Sequence, residues 1–165
     1  MNFIRVFAIF LCLLLVTNKS VLAADNHAEF IASCKETIYQ YAMTRDRFDA
    51  KGYANTFAVD GSFSLRGETY KGRDVIEERI NSERGLTYDR HVVANIEIIP
   101  TSESTATGSV YTVVYQATVD NAQKLPVTDF NIMMVVYSDT YKMTTEGCKF
   151  SSRTANLNFL QSVSN

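Results

Sequence analysis

Hydrophobic residues recur at helical spacing soon after residue 26. They form one stripe of a predicted helix, made of Phe30, Ile31, Cys34, Ile38, Tyr41 and Ala42. Asn26 followed by Glu29 resembles a capping box, which is expected to open this helix. Four residues beyond Ala42 the stripe reaches Asp46. A carboxylate on the buried side of a helix needs a partner, so the pattern singles out Asp46.

Two shorter helices and then a run of strands follow. Asp49 is expected to cap a second helix that reaches Phe57. Asp60-Gly61 is expected to form a turn before a strand over 62–66, and Gly72 is expected to introduce a third helix. Later apolar segments predict strands over Leu86–Ile99, Ala106–Val119, Val127–Met143 and Cys148–Leu157. Helices first and long strands afterwards predict an α+β domain with a mostly antiparallel sheet.

The amino terminus has the features of an export signal. A short basic start is followed by an apolar run from Val6 to Val16, and Val21 and Ala23 fit the small-residue cleavage rule. We therefore predict a signal peptide over residues 1–23, with Ala24 as a nearby alternative cleavage point and an uncleaved membrane anchor as the competing interpretation. Residues 24–165 then form a single domain in the periplasm or the culture medium.

Charge and cysteine content narrow the class of the mature domain. Its net charge becomes −4 rather than −2, because the signal removes Arg5 and Lys19 and no acidic residue. A mildly acidic domain without a basic stripe indicates neither nucleic-acid nor membrane binding. Cys34 and Cys148 remain. Two cysteines in an exported domain favour a disulfide, although two buried free thiols stay possible.

Histidine is the scarcest titratable residue type, with only His27 and His91 in the chain. His91 is the one inside the predicted fold, so unperturbed acid–base chemistry near neutral pH depends on it. Asp46 is its best partner. Strict alternation along the strand, however, places His91 with Asp89, Val93 and Asn95 on the more polar face. Strand curvature or a bulge decides whether that face lines a pocket.

Aromatic residues are the main candidates for a ligand-binding surface. Tyr41, Tyr53 and Phe63 are expected near the rim of a pocket, Tyr111, Tyr115 and Tyr137 on strands, and Asn95 at the edge. Core packing is the competing interpretation for each aromatic residue. Arg153 is expected to pair with a surface carboxylate. No metal or cofactor is predicted, since the chain has no Cys-x-x-Cys and no His-Glu-x-x-His pattern.

Several motifs in this order resemble the SnoaL-like family of the nuclear-transport-factor-like, or cystatin-like, superfamily. They are Tyr41-Ala-Met-Thr-Arg-Asp46, Phe57-Ala-Val-Asp60-Gly61-Ser-Phe63, Tyr70-Lys-Gly72-Arg-Asp74, Arg90-His91-Val-Val-Ala-Asn95 and Asp139-Thr-Tyr141. The resemblance implies a cone of helices closed by a strongly curved sheet, an internal pocket and frequent homodimers. In two lyases of the family, an aspartate and a histidine at the positions of Asp46 and His91 form the proton-abstracting pair.

The departures from those lyases limit what the resemblance implies. One has a second pocket histidine where this chain has Gln116, and the other has an arginine where this chain has Lys142-Met-Thr. Neither specific activity transfers. The leading hypothesis is a cofactor-independent lyase or isomerase, with His91 as base and Asp46 as its orienter, acting on a small apolar or aromatic molecule. The alternatives are a non-catalytic ligand-binding or dimeric accessory module, and a protein-interaction domain that uses the outer sheet.

Overall fold

Three helices pack against a six-stranded sheet in a computed structural model, which describes residues 27–118, 120 and 126–164. The helices are α1 over 27–46, α2 (Ala50–Ala54) and α3 (Arg73–Ser82). The strands are β1 (Phe57–Leu65), β2 (Glu68–Lys71), β3 (Thr87–Pro100), β4 (Thr105–Thr118), β5 (Phe130–Thr144) and β6 (Gly147–Val163). The predicted export signal, its cleavage point and Asn26 lie outside the described residues. Within the described part, no helix is long and apolar enough to cross a membrane.

The sheet has the strand order β2-β1-β6-β5-β4-β3. Strands β3 to β6 form successive antiparallel pairs, whereas β1 pairs with β6 in parallel. This confirms the predicted α+β class and the mostly antiparallel sheet. The long strands curve around the helices and form the cone that the family resemblance implies.

Helix α1 buries the stripe that its sequence predicts. Phe30, Cys34, Ile38 and Tyr41 are each at most 3% exposed. Cys34 and Cys148 form a disulfide, which joins α1 to the start of β6 across a sequence separation of 114 residues. The disulfide thereby attaches α1 covalently to the sheet. Asp46 lies at the carboxyl-terminal end of this helix.

Two local predictions around α2 need correction. Asp49 does cap α2, since its side chain accepts a hydrogen bond from the backbone N–H of Gly52, but the helix ends before Phe57, which begins β1. Asp60 and Gly61 lie inside β1 rather than in a turn. A Cβ at Gly61 would lie 2.8 Å from the carbonyl oxygen of Phe150. Gly61 therefore permits close contact between β1 and β6 beside a register shift. The Asp-Gly pattern in the sequence does not distinguish such a site from a turn.

The first half of β3 turns Asp89 and His91 toward the helices. The side chains of Asp89 and His91 are 1% and 7% exposed, while Val92 is 52% exposed. The pairing with β4 shifts register between Val93 and Ile96, and Ile96 then packs against the core. Asp89, His91 and Val93 share one face, as alternation predicts, and the structure shows that this face points inward. After the bulge, Ile96 and Ile98 point inward in place of Asn95 and Glu97.

Candidate functional site

A cavity of about 340 Å³ lies between the helices and the concave face of the sheet. Much of its wall is apolar and comes from Phe63, Leu65, Val114, Met133, Val135 and Ala155. Leu86 and Leu157 also line it and are 62% and 41% exposed, so they mark its mouth. A partly apolar cavity of this size suits a small organic ligand.

His91 projects into this cavity and is held from behind by Asp46. Its Nδ1 lies 2.6 Å from Oδ1 of Asp46, and its backbone N–H donates to Oδ2 at 3.0 Å. The carboxylate thus holds both the ring and the backbone of His91. Nε2 makes no hydrogen bond to any of the described residues. The Asp46–His91 pair therefore leaves one ring nitrogen available to a ligand in the cavity.

The carboxyl-terminal end of α1 is brought to β3 by a second contact. Arg90 Nη1 donates to the backbone carbonyl of Asp46 at 3.3 Å. Its guanidinium carbon lies 4.1 Å from the centre of the Tyr88 ring. This contact reaches one of the carbonyls that the end of a helix leaves without an intrahelical partner. It fixes the position of Asp46 relative to its histidine.

Three buried tyrosines line the cavity. The ring centres of Tyr41 and Tyr53 are 4.6 Å apart, and those of Tyr41 and Tyr137 are 5.6 Å apart. Burial raises the pKa of Tyr41 and Tyr137 well above the ordinary tyrosine value. Tyr53 raises the pKa of Tyr41 further, and Tyr41 raises that of Tyr137 further. Burial likewise raises the pKa of Tyr53. All three remain neutral phenols near pH 7, so they can donate hydrogen bonds to a ligand oxygen.

Arg153 lies beneath these tyrosines and is not a surface residue. Its Nε and Nη2 bind the two carboxylate oxygens of Asp139, both at 2.9 Å, and its guanidinium lies 4.2 Å and 4.1 Å from the ring centres of Tyr41 and Tyr137. Burial alone lowers the pKa of Arg153, but Asp139 raises it above the ordinary value. The expected surface partner was wrong, since Asp139 is also buried.

A second cluster of polar and charged side chains forms the side of the cavity near its mouth. Arg45 Nη2 lies 2.8 Å from Asp89 Oδ2 and 2.9 Å from Glu83 Oε2. Gln116 donates to the other oxygen of Asp89 at 2.9 Å, and Arg79 pairs with Glu83 at 2.8 Å. All five residues line the cavity. Gln116 is thus engaged with Asp89.

Three of the proposed binding residues lie away from this cavity. Tyr111 and Tyr115 are 38% and 42% exposed on the outer face of β4. Asn95 is exposed at the bulge of β3. Tyr41, Tyr53, Phe63 and Tyr137 line the cavity instead, although the first three lie deep in the core rather than at a rim.

Sequence reasoning missed Arg45, Arg79, Glu83 and Asp89 as cavity residues. Two signals were present. Arg45 lies four residues after Tyr41 on the stripe of α1, and Asp89 lies two residues before His91, on the same face of β3. No sequence signal places Glu83 beside Arg45, because that contact joins two helix ends that only the fold brings together.

Comparisons with known proteins agree with this architecture. The family model of the SnoaL-like domain matches residues 26–154. The structure of a type 2 hexachlorocyclohexane dehydrochlorinase superposes with a TM-score of 0.75, at 15% identity over 85% of this chain and 93% of that one. An NTF2-like protein with a cystatin-like fold from Novosphingobium aromaticivorans has a TM-score of 0.71, at 22% identity over 84% and 88% of the two chains. None of the curated proteins matches the sequence significantly.

Proposed function

This chain belongs to the SnoaL-like domain family, and we propose that it is a cofactor-independent lyase or isomerase for a small apolar or aromatic molecule. The observation that carries the proposal is the inward-facing His91, whose Nδ1 is held by Asp46 at 2.6 Å while Nε2 has no partner among the described residues. A dehydrochlorinase, which is a lyase, has the same fold. That likeness supports the reaction class and indicates nothing about the substrate.

In the proposed reaction, Asp46 accepts a hydrogen bond from Nδ1–H of His91, which leaves Nε2 unprotonated. Nε2 removes a proton from a carbon next to a carbonyl group, and the C–H electron pair moves toward the carbonyl oxygen. A neutral phenol of Tyr41, Tyr53 or Tyr137 donates a hydrogen bond to that oxygen as charge develops. The electron pair then expels a neighbouring leaving group, or the proton returns at another carbon.

Changing His91 to glutamine tests this proposal directly. Small molecules that co-purify with the mature protein are identified by mass spectrometry, and deuterium uptake at their acidic C–H positions is followed in D2O with added protein. We expect exchange to slow by at least about 100-fold, since positioned general bases contribute that much or more. His27→Gln changes the only other histidine and serves as the matched control. Exchange by His91→Gln at the wild-type rate would rule out His91 as the base.

Changing Asp46 to asparagine should slow the same exchange by about 100-fold while ligand binding is kept. An asparagine amide turned toward Nδ1 donates a hydrogen bond, so the proton of His91 moves to Nε2, where it blocks proton abstraction. NMR of the histidine ring nitrogens reports this change of tautomer. Full activity, or an unchanged tautomer, would show that Asp46 does not orient His91.

One observation favours the second candidate, a non-catalytic ligand-binding module. Gln116 stands where one related lyase has a second histidine, and its amide is engaged with Asp89 at 2.9 Å. A ligand that binds in the cavity, yet shows no exchange with the wild-type protein, would support this candidate over the enzyme.

We also propose that the protein is exported and forms a homodimer. The disulfide between Cys34 and Cys148 supports export, because such bonds persist in oxidising compartments. The outer face of the sheet exposes Val92, Tyr111 and Tyr115, which supports a dimer through that face. Amino-terminal sequencing of the secreted protein and light scattering check the two proposals separately.

A further inference from the structure

We propose that the cavity takes a ligand with a carboxylate group on an apolar body, and that this carboxylate displaces Glu83 from Arg45 and Arg79. The inference rests on the proposed function, since it takes the same cavity as the ligand site. It adds the chemical class of the ligand and identifies a side chain of the protein that competes with it.

The first observation is a single carboxylate shared by two arginines in the cavity wall. Glu83 Oε2 lies 2.9 Å from Arg45 Nη2, and Glu83 Oε1 lies 2.8 Å from Arg79 Nη2. All three side chains line the cavity. Guanidinium groups recognise carboxylates through such paired, charge-assisted hydrogen bonds. Glu83 therefore occupies the position that a ligand carboxylate would take.

Glu83 is placed where it can leave. It is the C-cap residue of α3, and its side chain is 30% exposed. Gly85 follows with a φ of +80°, and Leu86 at the mouth is 62% exposed. Ion pairs of a partly exposed carboxylate contribute little stability, because hydration of the released carboxylate offsets much of their loss. Exchange of Glu83 for a ligand carboxylate is therefore feasible.

The charges that remain after Glu83 leaves favour an anion. Arg45 stays paired with Asp89, whose side chain is only 1% exposed. Arg79 loses its carboxylate and contributes one uncompensated positive charge. Its guanidinium also lies 5.0 Å from the centre of the Phe63 ring in the cavity wall. A monoanion with an aromatic or alicyclic body matches this combination of charge and apolar surface.

Arg45 also has an unused hydrogen-bond donor. Its Nη1 is buried and has no hydrogen-bond partner among the described residues. The residue as a whole is 8% exposed and belongs to the cavity wall. A buried donor on a charged group is unfavourable when it is left unpaired. The second oxygen of a ligand carboxylate would satisfy it once the guanidinium is released from Glu83.

The test compares 2-naphthoate with 2-naphthamide, a neutral compound of nearly the same shape, by isothermal titration calorimetry. Glu83→Gln removes the competing carboxylate, so we expect it to bind 2-naphthoate about tenfold more tightly than the wild type does. Arg79→Met should bind 2-naphthoate at least about tenfold more weakly. The affinity for 2-naphthamide should stay within about twofold throughout.

Glu146→Gln is the matched control. Glu146 pairs with Arg73 at 2.6 Å, and neither residue lines the cavity, so its affinities should equal those of the wild type. If Arg79→Met does not fold, Arg79→Lys replaces it, with a smaller loss of 2-naphthoate binding expected because the charge remains.

Several results would overturn the inference. Glu83→Gln could bind 2-naphthoate no more tightly than the wild type does, or it could gain equally for 2-naphthamide. Binding of neither compound to any variant would also contradict it. The proposed reaction fails by a different result, which is unchanged proton exchange in His91→Gln. The two failures can therefore be told apart.

Discussion

Replacing Arg153 with methionine is expected to lower the free energy of unfolding by about 3–5 kcal/mol. The substitution leaves the Asp139 carboxylate, whose side chain is 0% exposed, without its cation. Among the residues that the structure describes, only the hydroxyl of Tyr141 still donates to it, at 2.7 Å. Methionine keeps a flexible apolar side chain among the surrounding rings, so most of the loss comes from the unpaired charge. Urea unfolding followed by circular dichroism measures it.

The double variant Asp139→Asn/Arg153→Met is the control for this prediction. Asparagine can still accept the hydrogen bond from Tyr141 while it carries no charge, so we expect most of the lost stability to return. If the double variant is as unstable as Arg153→Met, the loss comes from packing rather than from the buried charge. A loss below about 1 kcal/mol in the single variant would contradict the assigned role of the ion pair.

Removing the disulfide with Cys34→Ala/Cys148→Ala is expected to destabilise the protein by about 4 kcal/mol. The bond joins residues 114 positions apart, and a closed loop of this length strongly restricts the unfolded chain. Both cysteines are almost fully buried, so the alanines also remove packed sulfur atoms. Urea unfolding under oxidising conditions compares the variant with the wild type.

Reduction of the wild type provides the matching control for the disulfide. The reduced wild type and the double-alanine variant should unfold at similar urea concentrations, both well below that of the oxidised wild type. Equal midpoints for the oxidised wild type and the variant would show that the bond adds no stability. Because α1 carries both Cys34 and Asp46, its proper docking also matters for the Asp46–His91 pair.

The two arginines that matter most here illustrate a limit of sequence reasoning. Arg153 lies on the buried face of β6, and its partner Asp139 lies on the neighbouring strand β5. Nothing in the local pattern indicates that this pair is buried rather than exposed. Arg45 precedes the recognised Asp46, yet its partners come from α3 and β3. Partners that are distant along the chain follow from the register of the sheet and the docking of the helices.

Some of the cavity residues could be predicted from the sequence, and others could not. Tyr41 and Tyr53 could be proposed from the sequence because they follow the apolar periodicity of α1 and α2. Tyr111 and Tyr115 looked equivalent to Tyr137, since all three are tyrosines on predicted strands. Side chains alternate between the two faces of the sheet in the same way on both strands. Only the curvature of the sheet distinguishes its concave face from its outer face.

The sequence by itself determined the α+β class and the family, and it predicted the contact between Asp46 and His91, but it missed strand β2. These features depend on local periodicity and on sequence motifs that can be recognised in a single sequence. Tertiary structure alone decided that His91 faces the cavity. Alternation states which residues share a face of β3, but a bulge between Val93 and Ile96 changes that face. Sheet curvature then decides which face encloses a ligand.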